Sequence, residues 1–165
     1  MLAVSATYHS GRLSPRQQRI FKRIDHSTIL LAIAGSYTGV FGLGVRGTPR
    51  TVVLLSVWVA AAIGIGLRML WIDAPYPLVA IVYLTVGWVA LIEVGPLLDA
   101  LSGVEALLVL IGGVLYTAGG IVYALHRPNP WPRTFGYHEV FHTLVVLAAA
   151  CHFAVAASIV SARAG

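Results

Sequence analysis

The sequence predicts an all-α fold, a polytopic bundle of membrane helices, on three observations. Only 10% of its 165 residues are charged while 58% are hydrophobic. The mean hydropathy is +0.85. The apolar residues fall into five blocks, each near the roughly 20 residues that a helix needs to cross a bilayer core. A soluble domain carries about 25% charged residues to solvate its surface. A soluble globule and a disordered chain are therefore excluded. Cys151 is the only cysteine, which excludes a disulfide scaffold.

An apolar run over residues 1–10 comes first. Such a stretch rises only about 13 Å as a helix, less than a bilayer. It has neither the basic n-region nor the cleavage site of a signal peptide. It reads as the C-terminal half of a helix, so the expectation is five full spans plus an N-terminal half-helix, in one transmembrane domain over 1–165 that is N-terminally truncated. A basic stretch from Arg12 to Arg23 follows. The full blocks are about 26–45, 51–72, 76–98, 103–125 and 138–161. Breaker chemistry separates them: Gly47-Thr48-Pro49, Pro75 with Pro77, Ser102-Gly103, and the run Arg127-Pro128-Asn129-Pro130-Trp131-Pro132. Gly, Ala, Ser and Thr are frequent within the blocks and suit close helix contact in lipid. Trp71, Tyr76, Trp131 and Tyr137 stand at block ends, where an aromatic belt sits.

Alternating the loops across the membrane divides the basic residues unevenly. Arg12, Arg16, Arg19, Lys22, Arg23, Arg68, Arg127 and Arg133 fall on one side; Arg46, Arg50 and Arg163 fall on the other. The positive-inside rule puts the first group in the cytoplasm and the C-terminus outside. The net charge of +5 thus reports orientation, and nothing beyond the charge speaks for a nucleic-acid partner.

The same topology gathers polar residues that are costly in a membrane. His9 lies where the half-helix leaves the bilayer on the cytoplasmic side. Asp25 and His26 lie where the next helix enters from that side, and His138 and His142 lie in the first turns of the last helix. His138 and His142 are four residues apart, so their imidazoles share one helix face and can hold one ion. Ser5 stands one turn from His9. Three neutral histidines and a water make a tetrahedral zinc site with an open position, and Asp25 would hold that water or orient a histidine. The plainer alternative makes Asp25 a helix cap beside Ser27. His126 and His152 are expected to be ordinary hydrogen-bonding groups.

His138-Glu139-Val140-Phe141-His142 is a literal HExxH string, which in a zinc protease makes the glutamate a general base. No second protease signature follows. Glu139 is also about 100° from His138 on a helix, so it need not face the ion.

Taken together, several motifs resemble the hemolysin III family, a group related to progestin and adiponectin receptors and more distantly to alkaline ceramidases. They are Ser5-Ala6-Thr7-Tyr8-His9-Ser10, Ile24-Asp25-His26-Ser27 with Ala34-Gly35-Ser36-Tyr37-Thr38, Gly112-Gly113-Val114-Leu115-Tyr116-Thr117 with Gly119, and Phe135 to His142 with His152-Phe153. The resemblance covers nearly the whole chain. It implies a seven-helix protein with zinc near the cytoplasmic face, held by His9, His138 and His142. It places the water-binding aspartate at Asp25 and the associated serine at Ser5. It implies a cell-membrane location, with the C-terminus outside. The family's first helix and its acidic motif have no counterpart here. The function expected is a zinc-dependent hydrolase of a lipid amide or ester that uses a zinc-bound water, with membrane lipid as partner and a lipid as substrate. The alternatives are a pore-forming, lytic membrane protein and a receptor-like protein in which zinc is structural.

Overall fold

The computed structural model describes residues 13–132 and 134–164. Every long element among them is helical. Five helical spans among them, one of them interrupted, are long and apolar enough to cross a membrane, so the chain is an all-α polytopic bundle.

The first helix, α1 (Pro15–Gly44), begins about eleven residues before the first apolar block. Ser14 accepts from the Gln17 backbone N–H while the Gln17 side chain accepts from the Ser14 N–H, and Pro15 occupies the first turn. The cap turns the expected basic loop into two turns of helix, and Lys22 reaches Asp73 at 3.5 Å. Gly47, at φ 74°, takes the left-handed turn into α2 (Thr48–Leu70).

The expected third span over 76–98 is not one helix. It divides into α3 (Tyr76–Gly87), a 3-10 stretch (Val89–Glu93) and α4 (Val94–Ala100). The break has two causes. Pro96 in a continuous helix would clash with the carbonyl four residues earlier; in the first turn of α4 it is harmless. Tyr37 of α1 enters the opened ladder, donating to the Gly87 carbonyl at 2.6 Å and accepting from the Ala90 N–H at 2.9 Å. Broken helices survive at membrane depth only when neighbours satisfy the freed backbone in this way.

A second capping box, Ser102 with Glu105, starts α5 (Gly103–Leu125). It ends at His126, which adopts the left-handed conformation. The last helix, α6 (Tyr137–Ala164), starts where Glu139 accepts from the Gly136 N–H at 2.8 Å and Asn129 accepts from the Tyr137 N–H at 3.1 Å.

Helix α5 packs along α6 and α3, and α1 packs between α2 and α6. Leu30, Phe41, Val53, Val57 and Val155 are fully buried between them. Small residues set the approach: a Cβ on Gly120 would lie 3.1 Å from Leu84, and one on Gly112 would strike the His152 imidazole. The outward faces are apolar, with Leu55, Ile63, Leu110 and Phe153 exposed. In water these would form a large apolar patch; against lipid tails they cost nothing.

Candidate metal centre

The contact between α1 and α6 builds the site. Asp25 stands in the interior of α1, since the helix starts at Pro15. It is not an N-cap, and that reading is overturned. Only 1% of its surface is exposed. Opposite it, His138 and His142 occupy successive turns of α6, and their Nε2 atoms lie 2.9 Å apart. One ligand-type atom from each of Asp25, His138 and His142 lies within 4.8 Å of the others.

Two imidazole nitrogens and one carboxylate oxygen form a donor set suited to zinc. Their separations allow one ion to reach all three. Of the expected ligands, His138 and His142 stand together among the described residues, and Asp25 lies near enough to be a ligand itself as well as a holder of water. Ser5 and His9 fall outside the described residues.

Phe141 walls the site from the core, with its ring 5.1 Å from His142 and 5.1 Å from Tyr123. Glu139 is engaged at the α6 terminus by the Gly136 N–H. That role accounts for the glutamate of the HExxH string without a proteolytic base. His126 sits between Tyr76 and Tyr137, with ring centroids 4.6 and 4.4 Å away. His152 lies ten residues beyond His142, with Nε2 3.4 Å from the Val109 carbonyl. His152 is a hydrogen-bonding histidine, as expected, whereas the contacts of His126 are aromatic packing.

Sequence reading missed one contact. Arg68, counted as a loop charge, is buried near the end of α2. Its guanidinium meets Nδ1 of His26 and donates to the Trp71 carbonyl at 3.4 Å. A guanidinium only donates, so His26 accepts at Nδ1 and carries its proton on Nε2. Tyr83 of α3 donates to the His26 carbonyl at 3.2 Å. Helices α1, α2 and α3 are therefore tied together one residue from Asp25. The available signal was Arg68 lying within an apolar block, where a lone charge needs a partner.

A cavity lies beyond Phe141, toward the other end of the bundle. Ile29, one turn past Asp25, and Phe141, next to His142, line its near end, and its walls are mostly apolar.

Comparison with known proteins agrees with this architecture. A family model described as "Haemolysin-III related" matches residues 1–153. The chain is 34% identical over 154 residues to a "Hemolysin-3 homolog" of Bacillus subtilis (strain 168), a match covering 93% of this chain and 69% of that protein. It is 29% identical over 139 residues to "Hemolysin-3" of Bacillus cereus, covering 84% of this chain and 61% of that one. It is 28% identical over 152 residues to an "Adiponectin receptor protein" of Drosophila melanogaster, covering 82% of this chain and 34% of the receptor. The chain thus spans less than two thirds of the last two relatives. No solved structure matches it.

Proposed function

The chain belongs to the Haemolysin-III-related family, and on that premise we propose that it is a zinc-dependent membrane hydrolase of a lipid amide or ester. The observation that carries this reading is the convergence of Asp25, His138 and His142 from two helices, close to the near end of a mostly apolar cavity lined there by Ile29 and Phe141. His138 and His142 would hold the metal together with His9, and a bound zinc supplies a polarised carbonyl and an acidified water.

The protein's own groups do the rest. The Asp25 carboxylate orients the attacking water and takes its proton at an oxygen. The water oxygen adds to the acyl carbon, the bond to the amide nitrogen or ester oxygen breaks, and the leaving group receives from Asp25 the proton that the water gave up. Ser5, outside the described residues, is the serine that the family resemblance assigns to hydrogen-bonding the water or the substrate. Phe141, buried beside the histidines, limits bulk water, and the apolar cavity accepts the acyl chain. Its lining also speaks against a pore, which needs a polar or charged path.

The charge bias favours a cell-membrane protein with this site near the cytoplasmic face and the C-terminus outside. In a receptor-like protein the zinc would only tie helices, and a lipid amide would remain intact.

The test is metal analysis of the purified chain beside His138→Ala and His142→Ala, with hydrolysis of a ceramide followed in parallel. We expect near-stoichiometric zinc in the parent and its loss in both variants, together with hydrolysis. Unchanged zinc in either variant removes that residue as a ligand. Full zinc with no turnover would favour a structural ion.

A further inference from the structure

Two cavities with a common wall run along the bundle. The nearer holds about 50 Å³ and extends from Ile29 and Phe141, beside the metal centre, to Ser36, Tyr116 and His152. The farther holds about 160 Å³ and continues from Ser36 and His152 to Leu97 and Val109. His142 and His152 are ten residues apart on α6, and Asp25 and Ser36 are eleven apart on α1. Both intervals correspond to about 15 Å of helix.

Three polar side chains lie at the shared wall: Ser36 and His152 line both cavities, and Tyr116 lines the nearer one. His152 sits in a notch that Gly112 leaves open. Its Nε2 faces the Val109 carbonyl, which can only accept, so Nε2 carries the proton and Nδ1 is an acceptor. Ser36 Oγ donates to the Ala32 carbonyl at 3.0 Å and has lone pairs left. The Tyr116 hydroxyl lies beside Ser36, yet it is buried with no hydrogen bond of ordinary geometry among the described residues. A buried hydroxyl left in that state costs free energy, and intramembrane polar groups are expensive without a role. An apolar cavity with a few convergent polar groups is the usual form of a small-molecule site.

We propose that this junction is a hydroxyl-binding subsite, which takes the mid-chain hydroxyl of an acyl lipid whose polar end lies at Asp25, His138 and His142. The inference rests on the lipid-binding part of the function proposed above. A hydroxyl both accepts, here from Tyr116, and donates, here to His152 Nδ1 or Ser36. A saturated chain meets neither need, and a ketone can only accept. An extended chain advances about 1.2 Å per bond, so the preferred hydroxyl lies about a dozen bonds from the carbonyl.

The test is equilibrium binding of labelled fatty acids to the full chain in phosphatidylcholine nanodiscs. The probes are octadecanoic, 3-hydroxyoctadecanoic and 12-hydroxyoctadecanoic acid. We expect the 12-hydroxy acid to bind roughly 3- to 10-fold more tightly than the other two. Tyr116→Phe, which keeps the volume, and His152→Phe should each bring that ratio toward one while octadecanoic acid binds as before. A ratio near one in the parent overturns the subsite. So does an equal gain for the 3-hydroxy acid, or a preference that survives Tyr116→Phe. Binding is read here rather than turnover, so a preference without ceramide hydrolysis would overturn the hydrolase alone.

Discussion

Asp25 illustrates how one residue's role depends on where its helix begins. Its neighbours in sequence allowed a cap, but the capping box at Ser14 and Gln17 moves the terminus away and leaves the carboxylate in a helix interior. A carboxylate buried there must have partners, because desolvating a charge is costly. The two imidazoles of α6 stand within reach of it. Asp25→Asn keeps the shape and removes the charge and the proton acceptor. If the proposed function holds, it should lower hydrolysis by about 10²- to 10⁴-fold and weaken zinc retention by about 10- to 100-fold, checked by turnover and by competition with a chelator. Activity at the parent level in this variant would remove Asp25 from the chemistry. His138 and His142 were legible because a four-residue spacing is set by helix geometry alone. The Arg68–His26 contact was not, because its members lie 42 residues apart on two different helices.

At the scale of elements, the broken third span shows tertiary structure replacing local hydrogen bonds. Tyr37 carries one donor and one acceptor to the opened backbone of another helix. Tyr37→Phe leaves a carbonyl and an N–H unmet and should destabilise the fold by about 1–3 kcal/mol, read as a lowered unfolding midpoint in detergent. The glycines of α5 make a second point. An alanine at Gly112 would drive its methyl into His152, 2.7 Å from Cδ2, whereas nothing lies within 4 Å of a Cβ at Gly66. Gly112→Ala should therefore cost about 1–3 kcal/mol, and Gly66→Ala should be close to neutral. Thermal melting of the two variants side by side checks the contrast, and equal midpoints would mean that α5 and α6 do not pack as closely as described.

For the whole molecule, the distribution of charge is the readable quantity. Basic residues collect at the ends where α1 begins, α2 finishes and α5 joins α6, which is also the end that holds Asp25, His138 and His142. Reporter enzymes active only on one side of the membrane, fused after residue 164, should register outside the cell. An internal signal would invert the proposed orientation and move the metal centre to the outer face.

Composition, block length and breaker positions determined that this chain spans a membrane as helices, because hydrocarbon tolerates no other open-backbone arrangement and each span reveals itself locally. Helical periodicity determined the histidine pair for the same local reason. The cap at Ser14 was also local, a serine three residues before a glutamine, but it was obscured by the charges that follow. Only the tertiary structure decided between a cap and a place beside the histidines for Asp25, that Arg68 is an interior cation, and that His152, Tyr116 and Ser36 share a cavity. Those facts depend on which helix faces meet and at what depth. Packing of α1 against α6 and of α5 against α6 fixes them, and no single stretch of sequence carries that information.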